Sequence, residues 1–285
     1  MSDAPARLAG VIGWPIAHSL SPRLHGHWLA EYRIHGFYLP LAVRREDFGE
    51  VCRALAKSGF AGVNVTVPHK ESALALAHEA DTPAQQAGAA NLLLFAGNGR
   101  IEARNTDSHG LASSLEESLG KDALRGASVA LLGAGGAARA AIFALETLGA
   151  DTIMILNRNR ERADAMASAL QPRVNARLRV LADADELETA GQIRVLINAT
   201  SGGMRGAAPL VFSLEALPRD AAVCDLVYNP IETELLTDAR RRGHRTIDGL
   251  GMLIHQAAPA FETFFGTRPE ISEGLRQSLV EAIGG

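Results

Sequence analysis

The stretch Val129-Ala-Leu-Leu-Gly-Ala-Gly-Gly-Ala-Ala-Arg139 decides how the chain folds. An apolar run ends at two glycines, Gly133 and Gly135, and small residues then open a long apolar-periodic segment. This pattern is typical of a strand, a tight turn and a helix N-terminus. Glycine suits a positive φ and a backbone that a pyrophosphate approaches, and Ala138 permits close helix–strand packing. The G-x-G-x-x-A pattern predicts a dinucleotide site on helix N–H groups, although glycine-rich turns also serve packing alone.

The residues after the next predicted strand indicate which dinucleotide binds. Asp151–Leu156 is that strand, and Asn157-Arg158-Asn159-Arg160-Glu161-Arg162 follows it. An NAD site usually places a carboxylate here for the ribose hydroxyls. A guanidinium instead pairs bidentately with phosphate. Because unpaired positive charge at a helix N-terminus opposes the macrodipole, we favour NADP and its 2′-phosphate over a solvated basic helix start.

Composition narrows the class of protein. With 285 residues, 47% hydrophobic content and a formal charge of −4, the chain is expected to form two globular domains without a basic surface for nucleic acid. Cys52 and Cys224 are too few for a disulfide framework or a thiolate metal site, so no metal is predicted. No apolar run reaches membrane-spanning length, and Met1–Arg7 does not resemble a secretory signal. A soluble cytoplasmic protein is expected.

Two serines follow the first predicted strand, Leu8–Ile12. The motif is Gly13-Trp-Pro-Ile-Ala-His-Ser-Leu-Ser-Pro22. Ser21 before Pro22 is typical of an N-cap with proline at the first helical position. With Ser19 nearby, this corner suits a carboxylate ligand. The alternative, that Ser21 only caps its own helix, leaves the Ser19 hydroxyl unexplained.

A second polar set follows the strand predicted for Gly62–Val67. Strand alternation places Asn64 and Thr66 on the same face. Lys70 comes next, at the carboxyl edge where open α/β sheets bind ligands, although a lysine at a helix start is usually surface charge. Asp107 lies where one predicted domain passes into the next. It either only caps the following helix or serves both as its cap and as the partner of Lys70 at a substrate site.

The rest of the chain alternates strands and helices. Strands near residues 195–199 and 223–227 complete the pattern of a doubly wound parallel sheet. Tyr228 then lies at the carboxyl end of a strand. Gln256 is polar within an apolar helix predicted from Gly249 to Phe265. Its amide either faces solvent or contacts a ligand.

These motifs together resemble the shikimate dehydrogenase family over nearly the whole chain. In chain order they are Gly13-x-Pro15-Ile16-x-His18-Ser19-x-Ser21-Pro22, Asn64-Val65-Thr66-Val67-Pro68-His69-Lys70, Asn105-Thr106-Asp107, the glycine turn at Gly133, Asn157-Arg158, the Asn198–Met204 loop and Gly249-Leu250-Gly251-Met252-Leu253. Three positions, Gly26, Leu92 and Asn159, carry residues other than the family's usual asparagine or threonine.

The resemblance implies two α/β domains. Residues 1–107 would form a substrate-binding catalytic domain, joined by C-terminal helices within residues 249–285. Residues 108–248 would form a Rossmann-type, doubly wound NADP-binding domain. A small-molecule substrate is implied, with neither nucleic acid nor a membrane as partner, in a monomer or homodimer.

The resemblance also implies residue roles. Lys70 and Asp107 would be the catalytic pair. The residues around the carboxylate and hydroxyls of shikimate would be Ser19, Ser21, Asn64, Thr66, Asn91, Tyr228 and Gln256. The residues that hold NADP would be Gly133, Ala134, Gly135, Gly136, Ala137, Ala138, Asn157, Arg158, Arg162, Thr200, Met204, Gly251 and Met252.

The implied activity is the reversible, NADPH-dependent reduction of 3-dehydroshikimate to shikimate in aromatic amino acid biosynthesis. One alternative is a paralogue acting on quinate or another cyclitol carboxylate. A second is an NADP-binding sensor without turnover, although a sensor has no need of a proton donor such as Lys70. A short-chain dehydrogenase is disfavoured because none of the three tyrosines is followed four residues later by lysine.

Overall fold

The computed structural model describes residues 5–189 and 192–284, which divide into two compact units. The first consists of the described part of Met1–Thr106 together with Gln256–Ala282. The second consists of Asp107–His255 and the described part of Ile283–Gly285. None of the helices within the described ranges is long and apolar enough to cross a membrane.

The first unit contains a mixed sheet. Its strands are β1 (Arg7–Gly13), β2 (Gly36–Ala42), β3 (Phe60–Val65), β4 (Glu79–Ala80), β5 (Leu92–Phe95) and β6 (Ile101–Arg104). Its helices before residue 107 are α1 (Ser21–Glu31), α2 (Phe48–Lys57), α3 (Lys70–Leu76) and α4 (Thr82–Ala87). The strand order is β2-β1-β3-β5-β6-β4. Strands β1, β2 and β3 are parallel, whereas β5 runs antiparallel to β3 and forms a hairpin with β6.

This topology brings several chain segments to one edge of the first sheet. The carboxyl ends of β1 and β3 lie there because the two strands are parallel. The start of β5 and the end of β6 lie at the same edge because each reverses direction. Val63 and Val65 of β3 are buried in the core on one face, as the alternation predicts.

The second unit contains a fully parallel sheet. Its strands are β7 (Ser128–Leu132), β8 (Thr152–Leu156), β9 (Arg177–Val180), β10 (Ile193–Asn198), β11 (Ala222–Asp225) and β12 (Thr246–Ile247). Its helices are α5 (Asp107–Leu119), α6 (Gly136–Thr147), α7 (Arg160–Leu170), α8 (Glu186–Thr189) and α9 (Glu234–Arg241), with a 3₁₀ turn at Gln171–Arg173. Counted within the unit, the strand order is 3-2-1-4-5-6, which is the Rossmann order. The predicted fold class is confirmed.

Helix α6 shows why the glycine-rich stretch folds as it does. Seven of its twelve residues are buried, so its apolar surface packs on the parallel sheet rather than facing solvent. Ala138 is fully buried in the core cluster that also contains Val129 and Leu131. A larger side chain at Ala138 would separate the helix from the strand, as the sequence pattern indicates.

Two helices close the chain: α10 (Gly249–Phe265) and α11 (Glu273–Gly284). Helix α10 belongs to the second unit as far as His255 and to the first from Gln256. The C-terminal segment therefore joins the first unit later than residue 249. The reason is close packing at the start of α10, where a Cβ on Gly249 would meet the Leu226 carbonyl oxygen and one on Gly251 the Ser114 hydroxyl.

Two local predictions near β3 are wrong. Alternation over Gly62–Val67 predicts Val67 on the same face as Val63 and Val65, but the strand ends at Val65 and Val67 is 69% exposed. The sequence also predicts a helix over Glu71–Ala80, but this helix ends at Leu76. Glu79 and Ala80 instead form β4, because they pair in parallel with β6.

Candidate active site

The polar residues of the first unit converge at the edge where β1 and β3 end. Ser19 and Ser21 follow β1, Asn64 lies in β3, and Thr66 and Lys70 follow it. Asn91 immediately precedes β5, and its carbonyl oxygen accepts a hydrogen bond from the Val65 N–H at 2.8 Å. The antiparallel pairing of β5 therefore places Asn91 beside the carboxyl end of β3.

Asn91, Thr106 and Gln256 form a hydrogen-bonded cluster. Asn91 Oδ1 accepts from the Thr106 N–H at 2.9 Å, and Asn91 Nδ2 donates to Thr106 Oγ1 at 3.0 Å and to Gln256 Oε1 at 3.2 Å. Thr106 Oγ1 in turn donates to the Gln256 carbonyl oxygen at 2.9 Å. The Gln256 side chain thus contacts this polar cluster, and its contact with a ligand stays a prediction.

Ser21 is not an N-cap. Helix α1 begins at Ser21 itself, and its N-cap is Leu20, without a side-chain capping bond. Leu20 already has helical φ and ψ, so the helical turn starts one residue earlier than predicted. Ser19 Oγ accepts the Ser21 N–H at 3.3 Å.

Tyr38 is a buried residue that the sequence analysis did not single out. Its hydroxyl donates to Asn64 Oδ1 at 2.7 Å, and Asn64 Nδ2 donates to the Asn91 carbonyl oxygen at 3.2 Å. Burial raises the pKa of Tyr38 well above its ordinary value. The signal in the sequence was a tyrosine at an inward position of β2 between Phe37 and Leu39, which are exposed.

Lys70 is the first residue of α3, and buried His69 fixes the backbone before it. The His69 Nε2–H donates to the Val43 carbonyl oxygen at 2.8 Å, and its ring stacks on Phe48 with centroids 4.7 Å apart. Burial lowers the pKa of His69. Lys70 is half-buried, and its own carbonyl oxygen accepts the Ala90 N–H at 2.9 Å.

The other two residues expected near the substrate belong to the second unit. Asp107 is the first residue of α5 and is half-buried. Tyr228 follows β11, as predicted, and burial raises the pKa of its hydroxyl.

A cavity of about 870 Å³ lies at the carboxyl edge of the second sheet. It is lined by Gly133 and Gly135 after β7 and by Thr200 after β10. These neighbouring strands are where the order reverses, the point at which such sheets bind dinucleotides. Gly133 has φ +116°, and a Cβ there would lie 3.1 Å from the Ala199 carbonyl oxygen. Glycine is therefore required by both backbone conformation and space.

The predicted phosphate-binding residues line the same cavity. Asn157, Arg158 and Arg162 are among its wall residues. Asn159 caps α7 by accepting the Arg162 N–H at 2.9 Å, and Asn157 Nδ2 donates to the Asn159 carbonyl oxygen at 2.7 Å. The Arg162 side chain is held by its Nε, which donates to the Ala134 carbonyl oxygen at 2.9 Å.

Buried Asp225 holds the loop that carries Thr200. Asp225 Oδ1 accepts from Asn198 Nδ2 at 2.8 Å, and Asn198 Oδ1 accepts from both the N–H and the hydroxyl of Thr200, at 3.0 and 2.7 Å. Asp225 Oδ2 accepts from the hydroxyl of Thr233, the N-cap of α9, at 2.7 Å. Burial raises the pKa of Asp225, and these hydrogen bonds partly oppose the shift.

Some residues predicted to hold the cofactor do not line this cavity. They are Gly136, Ala137, Ala138, Met204, Gly251 and Met252. Ala138 is buried beneath the turn, whereas Gly251 and Met252 lie at the start of α10. Conversely, the apolar wall of Leu210, Val211 and Phe212 was missed, because an irregular loop gives no periodic signal.

The cavity fits a dinucleotide on physical grounds. Gly135 is the N-cap of α6 and has no side-chain capping bond, so the first N–H groups of the helix lie at the glycine turn without a side-chain cap. A Cβ on Gly136 would meet nothing within 4 Å, which leaves open space beside these donors. Two guanidinium groups stand along the wall to pair with phosphate. Within residues 5–189 and 192–284, no group of three histidine, cysteine or acidic side chains is placed to hold a metal ion.

Three family models match successive parts of the chain. Residues 11–93 match the shikimate dehydrogenase substrate binding domain. Residues 114–204 match shikimate / quinate 5-dehydrogenase. Residues 249–277 match the shikimate 5′-dehydrogenase C-terminal domain.

Named relatives match over most of their length. The shikimate dehydrogenase (NADP(+)) of Paramagnetospirillum magneticum is 46% identical over 271 residues, covering 95% of this chain and 97% of that protein. The shikimate 5-dehydrogenase of Thermus thermophilus, solved in complex with NADP(H) and shikimate, is 34% identical, with a TM-score of 0.85 and coverage of 97% and 99%. A quinate dehydrogenase of Corynebacterium glutamicum in complex with NAD is 31% identical, with a TM-score of 0.87 and the same coverage. A match of this extent and identity shows that the chain belongs to the shikimate dehydrogenase family.

Proposed function

We propose that this chain is an NADP-dependent shikimate dehydrogenase. It reversibly reduces the ketone of 3-dehydroshikimate to the secondary alcohol of shikimate, a step towards the aromatic amino acids. Support comes from the relatives of that name, which match from one end of the chain to the other.

The chemistry requires a hydride and a proton. When bound, NADPH supplies the hydride to the carbonyl carbon. We assign proton transfer to the oxygen to Lys70, which becomes neutral and regains its proton from solvent, with Asp107 as its catalytic partner. General acid–base catalysis of this kind contributes about 10²- to 10⁴-fold to a rate.

Substrate recognition is assigned to two groups of residues, one for the carboxylate of shikimate and one for its ring hydroxyls. Ser19 and Ser21 present hydroxyls, together with Tyr228, for the carboxylate. The amides of Asn64, Asn91 and Gln256, with the Thr66 hydroxyl, bind the ring hydroxyls. Amides suit hydroxyl groups because each amide both donates and accepts hydrogen bonds.

Cofactor binding is assigned to the cavity of the second unit. The glycine turn binds the pyrophosphate, and Asn157, Arg158 and Arg162 bind the 2′-phosphate. The parts of the dinucleotide other than the pyrophosphate and the 2′-phosphate are assigned to Thr200, Met204, Gly251 and Met252. The observation that carries the substrate assignment is the hydrogen-bonded cluster of Asn91, Thr106 and Gln256, at the sheet edge where β3 ends before Lys70.

A four-way assay tests the function. NADPH or NADH formation is followed spectrophotometrically with shikimate and with quinate, each with NADP⁺ and NAD⁺. We expect the highest kcat/KM for shikimate with NADP⁺. A higher value for quinate would favour the paralogue, and tight NADP⁺ binding without turnover of either substrate would favour the sensor.

We further propose a cytoplasmic enzyme that works as a monomer or homodimer. Cys52 and Cys224 are both free and buried, and burial raises the pKa of Cys52 to about 12, which suits a reducing compartment. Light scattering of the purified protein at working concentration distinguishes these assemblies from larger ones.

A further inference from the structure

Tyr38 contacts a residue that we assign to substrate binding. Its hydroxyl donates to Asn64 Oδ1 at 2.7 Å. Tyr38 is 7% exposed, and its hydroxyl is inside the protein rather than at a solvent edge.

The direction of these hydrogen bonds follows from their partners. Asn64 Nδ2 points to the Asn91 carbonyl oxygen at 3.2 Å, and a carbonyl only accepts, so the Asn64 amide oxygen faces Tyr38. Tyr38 has one hydroxyl proton, and it is used on that oxygen.

Packing fixes the Tyr38 ring itself. The His25 ring stacks on it with centroids 3.9 Å apart and planes 3° from parallel, and Phe264 packs against it with centroids 6.4 Å apart. A ring held on these sides presents its hydroxyl at one point, which gives Asn64 a rigid partner.

We propose that Tyr38 is a positioning residue, which fixes the orientation of the Asn64 amide for the substrate; this rests on the function proposed above. Asn64 Nδ2 carries two hydrogens, and the one not directed to Asn91 is assigned to a ring hydroxyl of the substrate. With a flipped amide, an oxygen would face the Asn91 carbonyl and this donor would be lost.

Tyr38→Phe tests the proposal, because it keeps the ring stack and removes only the hydroxyl. If one-tenth of the molecules then hold the Asn64 amide correctly, the KM for shikimate rises about tenfold. The kcat stays within about twofold, since Lys70 is untouched, and the Kd for NADPH without shikimate is unchanged. Tyr32→Phe is the matched control: its hydroxyl accepts the exposed Glu270 N–H at 2.9 Å, so its KM for shikimate stays at the wild-type value.

A double-mutant cycle separates positioning from general stabilisation. In an Asn64→Ala background, Tyr38→Phe should change the KM for shikimate by less than twofold, because Tyr38 acts through Asn64. The double variant leaves no buried amide oxygen without its donor, so it serves also if the single variant is unstable.

Several outcomes overturn the proposal. One is a wild-type KM for shikimate in Tyr38→Phe. A second is that Tyr38→Phe raises this KM equally in the wild-type and the Asn64→Ala backgrounds. A third is that Tyr38→Phe raises the Kd for NADPH as much as the KM for shikimate. A wild-type enzyme without shikimate turnover would instead refute the proposed function.

Discussion

Buried amides and hydroxyls give the first unit its chemical character. Asn64, Asn91 and Thr106 are each less than 9% exposed, and their polar atoms pair with one another, with Tyr38 and Gln256, or with backbone groups. Leaving such a group unpaired in a dry environment costs about 1–3 kcal/mol. In the substrate role proposed above, these groups would therefore discriminate strongly against a ligand that lacks the matching hydroxyl.

Lys70→Ala is expected to lower kcat by about 10²- to 10⁴-fold, because the general acid is lost. The Kd for NADPH, measured by fluorescence titration, should not change. The control is Lys57→Ala, which removes an exposed lysine at the end of α2. Turnover by Lys70→Ala at the wild-type rate would remove Lys70 from the mechanism.

His25 makes stability depend on pH. Burial lowers its pKa from 6.5 to about 3 in the folded protein. Between these pH values the unfolded chain therefore binds a proton at His25 that the folded chain does not bind. The stability contributed by neutral His25 is fully present above pH 6.5 and is lost as the pH falls below it. From pH 7 to pH 5 the free energy of unfolding should fall by about 2 kcal/mol from this residue.

The measurement is urea unfolding of wild type and His25→Phe at both pH values. Phenylalanine keeps a ring on Tyr38 but cannot titrate. Over this range the free energy of unfolding should fall by about 2 kcal/mol more in the wild type than in the variant. Equal losses would show that His25 is protonated to the same extent in the folded and unfolded states.

At the scale of elements, strand ends and helix starts place the functional groups. Helix α6 begins at the glycine turn, and α7 begins at the arginine-bearing turn, so both N-termini adjoin the same cavity. Helix N-termini attract anions through free N–H groups and the macrodipole. Asn159 supplies the α7 cap with its side-chain oxygen, so an asparagine at this position has a structural reason.

Arg158→Ala should raise the KM for NADP⁺ while leaving the KM for NAD⁺ nearly unchanged. Losing a charge-assisted hydrogen bond costs about 1.5–3 kcal/mol, which corresponds to about 10- to 150-fold. Arg160→Ala is the matched control, since Arg160 is on the same turn but pairs with Asp164 at 3.6 Å. Equal losses with both cofactors would contradict the 2′-phosphate assignment.

Gly133→Ala should destabilise the protein and weaken NADPH binding. Its positive φ costs an alanine about 1–3 kcal/mol, and its Cβ would press on the Ala199 carbonyl oxygen. Gly99 also has a positive φ, +81°, but a Cβ there would meet nothing within 4 Å, so Gly99→Ala carries only the conformational cost. Denaturation of both variants should show the greater loss of stability in Gly133→Ala. NADPH titration should show a loss of affinity in Gly133→Ala alone.

At the scale of the whole molecule, each unit has its own buried core. One cluster in the first unit contains Ile12 and Leu93, and a separate one in the second contains Leu131 and Ile153. Each ligand we propose has most of its assigned residues in one unit: shikimate in the first and NADP in the second. A ligand that binds only the native state stabilises the part of the protein it contacts.

Hydrogen exchange should show which unit binds each of the two ligands. NADP⁺ alone is expected to slow exchange at the glycine turn and in the Thr200 loop, because the ligand suppresses local opening there. Shikimate alone should slow exchange near Asn64 and Asn91. The reverse pattern, read by mass spectrometry of peptides, would contradict the assignment of ligands to units.

The sequence by itself determined the fold class, the doubly wound topology and the family. Periodicity and glycine spacing are local properties, so Gly133, Ala138 and α10 (Gly249–Phe265) could be predicted without coordinates. The candidate substrate residues, as assigned from family motifs, stay predictions.

Only the tertiary structure decided which side chains meet. Helix α1 is capped by Leu20 and not by Ser21. The Tyr38 hydroxyl of strand β2 meets Asn64 of strand β3, a hydrogen bond that local sequence does not encode. The role of Asp225 likewise depends on β10 and β11 lying side by side. Hydrogen bonds between residues distant in the chain follow from sheet register, and register is a property of the packed core.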